Sequence, residues 1–336
     1  MNILITGVAG FIGFHCVKNL SKDNFIVGVD NINDYYDVSL KYDRLKELGI
    51  EKSSALLSGA EIAGLNNFIF KKLDVAEDTT ALEELFSKYH FDLVLNLAAQ
   101  AGVRYSIEHP ECYVKSNVIG FFNIIECCRK YKTNKIVYAS SSSVYGNLDE
   151  TPFSENANVN SPESLYAATK ITDELFANVY NKIYGLSFVG LRFFTVYGPW
   201  GRPDMAPFLF TNAIMNDKPI RIFGNGELYR DFTYIDDIVN GIVRVVNLDF
   251  SGKNELLNIG HGSPIKLIDF VNILEKEIGK SATKIICGMQ PGDVYTTYAD
   301  TKKLERLVGY KPSISLEKGI HNFVWWYKQY TGKSYA

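Results

Sequence analysis

Cysteine and histidine are scarce in this chain, and neither falls in a pattern. The five cysteines (Cys16, Cys112, Cys127, Cys128 and Cys287) are odd in number and mostly lie within helical patterns. That excludes a disulfide framework and points to reduced, buried thiols in the cytoplasm. His15, His90, His109, His261 and His321 are scattered without metal-ligand spacing, so no metal site is expected. Basic charge is not in excess: 35 Lys and Arg against 38 Asp and Glu leave a formal net charge of -3. Nucleic acid and anionic membranes are therefore not expected partners. No apolar run approaches the ~20 residues of a membrane span. The amino terminus has no basic leader with a cleavage site, because Met1-Asn2-Ile3 already begins a strand. Internal repeats, coiled-coil heptads and low-complexity tails are missing as well.

What is present is a chain of 336 residues, 46% hydrophobic, long enough to bury one large core and a smaller one. Strands and helices alternate to about Phe193, as a doubly wound parallel sheet requires. After Phe194 the elements shorten and Gly and Pro punctuate them. The expected division is a first domain over 1–194, with a returning segment at about 230–250, and a second over 195–336. Two insertions interrupt the first. The stretch 31–67 should hold one helix, Ser39 to Leu48, then a mobile Ser/Gly/Ala-rich segment. Asn147 to Ser164 is a polar loop that would wall a substrate. Asp236 and Asp237 read as caps of a following helix, and Trp325 and Trp326 as packing of a final one.

The start of the chain carries a recognisable chemistry. The apolar run Asn2 to Thr6 leads into Gly7-Val8-Ala9-Gly10-Phe11-Ile12-Gly13 and then a helical pattern through Leu20. Glycines in a strand-to-helix turn allow positive φ and let a pyrophosphate approach the free N–H groups of the helix start. The next strand, Phe25 to Val29, ends in Asp30, an acceptor for an adenosine ribose diol. Asn31 and Ile32 follow, with no immediate cation for a 2′-phosphate, so NAD is preferred over NADP. Lys41 and Arg44 lie close enough in sequence to keep that preference open.

Further along, Tyr166 and Lys170 stand four apart in Tyr-Ala-Ala-Thr-Lys. In a helix the phenol and the ammonium then project side by side. A phenol is a poor base at neutral pH unless an adjacent cation favours its anion. With a dinucleotide site in the same chain, the pair reads as redox chemistry at a hydroxyl group. A chance surface pair is the plain alternative, since the chain has 21 tyrosines.

These features together resemble the extended short-chain dehydrogenase/reductase family, whose Gly-x-x-Gly-x-x-Gly spacing this chain shares. The resemblance implies an α/β fold, a Rossmann-type doubly wound parallel sheet with a smaller mixed α/β substrate domain. It implies bound NAD, with Asp74 and Val75 at the adenine, Leu97-Ala98-Ala99-Gln100 along the cofactor, and Asn117 at a helix-stabilising position. Ser141, in the run Ser140 to Ser143, would hydrogen-bond the reacting hydroxyl beside Tyr166. Lys170 would also hold the nicotinamide ribose. Arg230 would meet the nucleotide diphosphate, and two helices per subunit would pair in a homodimer. The plain readings stay beside these: a polar loop for the serines, a helix cap for Asp74.

Within the family, the segments Asp30–Asp37, Ala98–Ser106, Phe193–Asp204 and Met289–Val294 are similar to the branch acting on UDP-uronic acids. This implies 4-epimerisation of a UDP-sugar, with UDP-glucuronate and UDP-galacturonate interconverting through a 4-keto intermediate, and a place in surface-glycan synthesis. Thr195 and Arg202 would hold the sugar carboxylate, with Ser142, Ser143 and Asp293 also on the substrate. A surface salt bridge is the plain alternative for Arg202. Related decarboxylases and dehydratases carry an acidic residue directly after the catalytic Ser or Thr; here Ser142 and Ser143 stand there, which disfavours dehydration, and Thr195 and Arg202 on the carboxylate would disfavour decarboxylation. Gln290 replaces a phosphate-binding Arg common in relatives. Two other readings remain: a 4-epimerase of UDP-galactose or UDP-N-acetylhexosamine, and a catalytically silent NAD-binding protein.

Overall fold

The computed structural model describes residues 1–57, 59–290 and 292–332. Pro291, within one of the segments quoted above, lies outside them. The chain forms two compact units. The first comprises Met1–Gly146, Asn158–Arg192 and Val239–Leu257; the second comprises Asn147–Ala157, Phe193–Ile238 and the chain from Asn258 onward.

In the first unit seven strands run β1 (Asn2–Thr6), β2 (Phe25–Asp30), β3 (Glu61–Ala63), β4 (Phe68–Lys72), β5 (Leu93–Asn96), β6 (Lys135–Ser141) and β7 (Ser187–Phe193). The main helices are α1 (Phe11–Leu20), α2 (Ser39–Glu47), α3 (Thr79–Tyr89), α4 (Gly120–Tyr131) and α5 (Leu165–Tyr184). A π-type turn, Val114–Ile119, precedes α4. The sheet is ordered Asn254–Ile259, β7, β6, β5, β1, β2, β4, β3. β1 pairs in parallel with both β2 and β5, and β2 with β4 and β5 with β6 are parallel too. The order therefore reverses between β1 and β5, and in such sheets ligands bind outside the carboxyl ends of the strands at that reversal.

Why these strands read as unbroken apolar runs follows from this order. A parallel sheet is covered on both faces, so Ile3, Leu4 and Ile5 are all buried although successive side chains point oppositely. Leu4, Val27, Val94, Ile136, Tyr138 and Phe188 form one core with Leu82, Leu85 and Phe86 of α3, Phe121, Ile124 and Ile125 of α4, and Ala177 of α5. Truncating any one of the large aliphatic members to alanine would cost about 2–5 kcal/mol.

The Ser/Gly/Ala-rich segment carries a short helix, Lys52–Ala55, and the edge strand β3, antiparallel to β4. The strand is only three residues long, and its backbone pairing, which the composition does not reveal, holds it.

The second unit is built on three two-stranded ribbons: Thr195–Tyr197 with Phe232–Tyr234, Ile220–Ile222 with Lys284–Ile286, and Tyr229–Arg230 with Ile265–Lys266. Helices Ala206–Met215, Leu267–Ile278 and Leu316–Thr331 complete it. Aromatic packing dominates here. Phe232 stacks on Phe270 at 4.4 Å, and Phe208, Phe323, Trp326 and Tyr327 form one cluster. Trp326 is buried, but Trp325 is 59% exposed, since adjacent helical positions face about 100° apart. Asp237 accepts hydrogen bonds from Ser313 and Ile314 N–H, so it ties down a distant segment.

The division differs in detail from the one at 194. Residues 147–157 belong with the second unit because Phe153 N–H donates to Tyr298 O and Asn258 donates to Phe153 O, at 2.7 Å each. The returning segment covers 239–257, later than the expected 230–250. Phe232–Tyr234 pairs with Thr195–Tyr197 and stays in the second unit, whereas Asn254–Ile259 extends the large sheet.

Candidate active site

The carboxyl ends of β1, β2, β5 and β6 and the start of α5 carry most of the residues singled out in the sequence. At the end of β1, Gly7 has φ +75° and donates to Val29 O at 2.8 Å. A Cβ on Gly7 would sit 2.8 Å from Ala98 N, one on Gly10 2.9 Å from Gly7 O, and one on Gly13 2.1 Å from the same carbonyl. The three glycines are required by a backbone folded against itself. α1 begins immediately after, at Phe11 and Ile12, with no side chain capping it and no acidic residue in its first turn. Its free N–H groups and dipole suit an anion.

Asp30 closes β2, buried at 8% exposure, with its carboxylate accepting from Ala9 N–H (3.0 Å) and Ile32 N–H (2.8 Å). The carboxylate is thus held beside the glycine turn. Asn31 donates to Asp74 at 3.0 Å, and Asp74 in turn accepts from Ala76 N–H at 2.9 Å, next to buried Val75. The two nearby cations are engaged elsewhere. Arg44 is fully buried and donates to Ala9 O and the Tyr36 hydroxyl, and Lys41 donates to the backbone and side chain of Asn33. The donor set fits a dinucleotide ending in a ribose diol, and a 2′-phosphate would meet the Asp30 charge.

The end of β5 is fixed by a residue that sequence reasoning passed over. The Thr6 hydroxyl donates to Asn96 at 2.6 Å and accepts from Leu97 N–H (3.1 Å) and Ala98 N–H (2.9 Å). Past Ala99, the Asn117 side chain clamps both backbone groups of Gln100, accepting its N–H at 2.8 Å and donating to its C=O at 3.1 Å. Asn117 sits in the π-type turn, a local geometry that recurs at functional sites.

β6 ends in the serine run. Ser140 donates to Glu174 at 2.6 Å, and Arg192 from β7 grips the same carboxylate through Nε (2.9 Å) and Nη2 (2.7 Å). A lone Arg inside the apolar run of β7 was the signal for that buried partner. Ser141 turns into a short 3-10 helix, Ser142–Tyr145, and its hydroxyl accepts from Ser143 N–H at 3.2 Å and from the Ser143 hydroxyl at 2.9 Å. α5 starts at Leu165, capped by Ser164, whose hydroxyl accepts from Ala167 N–H. This places half-buried Tyr166 in its first turn, with its ring 6.0 Å from that of Tyr113. Lys170 is buried and donates to Asp173 at 2.9 Å. Burial pushes the Asp173 carboxyl up to about 6, against the opposing pull of the Lys170 charge and hydrogen bond.

The remaining candidates lie in the second unit. Thr195 opens its strand, with its N–H donating to Asp231 O at 3.1 Å. Arg230 donates to Tyr229 O (2.8 Å) and Tyr295 O (3.3 Å), which brings it beside the segment carrying Asp293. Arg202 forks onto Asp204, through Nε to Oδ1 at 3.1 Å and through Nη2 to Oδ2. Among the described residues no group of His, Cys, Asp and Glu is placed to hold a metal, and no helix is long and apolar enough to cross a membrane.

The family model described as GDP-mannose 4,6 dehydratase matches residues 4–323. Protein CapI of Staphylococcus aureus is 47% identical over 99% of this chain and 100% of its own. A probable UDP-glucuronate 4-epimerase of Rhizobium meliloti (strain 1021) is 41% identical, covering 98% of this chain and 97% of its own. The crystal structure of UDP-glucuronic acid 4-epimerase from Bacillus cereus, in complex with UDP-glucuronic acid and NAD, superposes with a TM-score of 0.88 at 35% identity, over 98% of this chain and 100% of that one. The chain belongs to the extended short-chain dehydrogenase/reductase family, in the group that the GDP-mannose 4,6 dehydratase model describes and that the UDP-glucuronate 4-epimerases share.

Proposed function

We propose that the chain is an NAD-dependent 4-epimerase of UDP-sugars that interconverts UDP-glucuronate and UDP-galacturonate. The observation that carries this reading is what surrounds Ser141: two further serines follow it, Ser143 donates to its hydroxyl, and no carboxylate stands in the run. Removing water across C5 and C6, as the dehydratase name of the family model describes, needs a base for the C5 proton, and the run offers none. Serine and threonine hydroxyls and an arginine suit a substrate that keeps its carboxylate.

Binding follows from the groups on each element. The turn Gly7–Gly13 and the start of α1 hold a diphosphate, Asp30 accepts from the adenosine ribose hydroxyls, and Asn31, Asp74 and Val75 border the adenine. Leu97 to Gln100 lie along the cofactor, kept in place by Asn117. NAD, when bound, supplies the acceptor and the donor of a hydride at C4 of the sugar. Tyr166 takes the proton of the C4 hydroxyl and later returns one, Ser141 orients that hydroxyl, and Lys170 favours the phenolate and holds the nicotinamide ribose. Ser142, Ser143, Thr195 and Arg202 hold the sugar carboxylate, and Arg230 and Asp293 hold the nucleotide. Fixing the carboxylate matters because a 4-keto uronic acid is a β-keto acid that loses carbon dioxide if the carboxylate turns out of the ketone plane.

The same reading includes a homodimer through α4 and α5. Val114, Ile119 and Phe122 before and within α4, and Leu175, Val179, Ile183 and Tyr184 of α5, are exposed apolar side chains, and Phe122 meets Phe176 at 6.4 Å. It also places the protein in a reducing compartment, the cytoplasm, in keeping with five free thiols.

The test is to incubate the purified protein with UDP-glucuronate and resolve the products by anion-exchange chromatography. UDP-galacturonate should accumulate to a stable ratio without UDP-pentose. No conversion with NAD added, together with turnover of UDP-galactose, would replace this reading with a 4-epimerase of neutral sugars.

A further inference from the structure

We infer that Asp173 is a positioning residue of this reaction: its carboxylate fixes the Lys170 ammonium on the face of α5 that carries Tyr166, and limits how strongly that ammonium favours the phenolate. The inference rests on the functional reading above, in which Tyr166 is the base and Lys170 its neighbouring cation.

Tyr166, Lys170 and Asp173 occupy positions i, i+4 and i+7 of one helix, which form a single stripe. The ion pair spans 2.9 Å with the two side chains only 3% and 1% exposed. Stability alone does not account for it. Burying two charges costs about as much desolvation as their attraction returns, and the pair is stabilising only when the remaining lone pairs are satisfied. Here, among the described residues, Asp173 Oδ1 is buried with no hydrogen-bond partner. A half-satisfied carboxylate in a core calls for an explanation other than packing.

The neighbouring groups sharpen the assignment. Glu174, the next carboxylate on α5, is taken by Arg192 of β7 and Ser140 of β6, so it is committed away from Lys170. From β6 the Tyr138 hydroxyl is buried without a partner among the described residues, and burial drives its pKa well up, with Glu174 and Asp173 adding to the effect. Asp173 is thus the carboxylate bonded to Lys170. Its raised pKa of about 6 means that the pair is charged near neutrality and loses its negative member only in mild acid.

A neutral side chain at 173 that still accepts from Lys170 Nζ leaves the ammonium in place and strips away its counter-charge. Seven residues of helix rise span about 10 Å. At an effective dielectric of 20 to 40, one charge at that distance moves a proton equilibrium by roughly half to one pH unit.

The experiment is an ultraviolet titration of the tyrosinate band. Each protein is measured against its own Tyr166→Phe counterpart, so that the difference reports Tyr166 alone. Asp173→Asn should ionise Tyr166 half to one pH unit lower than the wild type, and Asp173→Glu, which keeps the charge, should return toward the wild type. An unchanged or higher transition in Asp173→Asn would overturn the inference, as would Asp173→Glu behaving like Asp173→Asn. Should Asp173→Asn not fold, Asp173→Ser carries the same comparison. A displaced titration in a protein that turns over no UDP-sugar would sink the functional reading and leave standing only the coupling of Asp173 to Tyr166 through Lys170; turnover with an undisplaced titration would keep the functional reading and overturn the inference.

Discussion

Asn117 donates to the Thr169 hydroxyl at 2.9 Å, and Thr169 donates onward to the backbone carbonyl of Tyr166 at 2.8 Å. With its two bonds to Gln100, this one amide joins the loop after β5 to the first turn of α5. Gln100, Asn117 and Thr169 are all buried. Asn117→Leu should destabilise the protein by about 1–3 kcal/mol, because both backbone groups of Gln100 are left unpaired. Thermal unfolding reads that loss. Turnover of UDP-glucuronate should fall further than the loss of folded protein explains, since the Tyr166 turn is released.

Gly13→Ala tests the dinucleotide turn. The new methyl would lie 2.1 Å from the Gly7 carbonyl oxygen, and the backbone at both positions is held by the sheet and α1. The turn must open, so the purified variant should carry little NAD, as its absorbance spectrum and a release assay would show. A Gly13→Ala protein with full NAD content would mean that the turn does not serve the cofactor.

Arg202 and Asp204 give a test of substrate choice. If Arg202 takes the sugar carboxylate, it must loosen its fork on Asp204, and a partly exposed pair is worth about 0.2–1 kcal/mol. Arg202→Ala should weaken UDP-glucuronate binding tenfold or more and leave UDP-glucose little changed. Asp204→Asn should tighten UDP-glucuronate a few-fold. Calorimetric titration with both nucleotides separates these outcomes, and equal losses for both sugars after Arg202→Ala would remove Arg202 from the carboxylate.

Much of this site was legible from spacing, and what was not depended on distant partners. Gly7, Gly10 and Gly13, and the pair Tyr166 and Lys170, are set by local geometry that spacing encodes directly. Asp173 lay on the same stripe, and its i+7 position was the available signal. Thr6 and Thr169 gave none, because a threonine reaching 90 residues away to Asn96 resembles any other strand threonine. The pairing of Arg202 with Asp204 was open between salt bridge and ligand, and two residues in a Gly/Pro loop do not decide it. β3 was hidden in a Ser/Gly/Ala-rich stretch, where three residues gain strand geometry only from pairing with β4.

Asp173 predicts a pH dependence of stability. Its folded pKa, raised by burial to about 6, exceeds the ordinary carboxylate value of 3.8. The group therefore favours the folded state fully below about pH 4, and that contribution, on the order of 3 kcal/mol, is lost as pH rises through about 6. Asp173→Asn should lack this term, so the difference in unfolding free energy between wild type and variant should move against the wild type from pH 4 to 6. A difference that stays flat across that window would show that Asp173 ionises normally.

The central claim is that hydrogen leaves C4 of the sugar and returns to it on the opposite face, while C5 is untouched. Proton NMR of the reaction run in D₂O tests it directly. UDP-galacturonate that keeps full proton intensity at both C4 and C5, and the loss of all product with Tyr166→Phe, is the predicted result. Deuterium at C5 would signal proton abstraction there, and deuterium at C4 a hydrogen drawn from solvent; either would contradict the account.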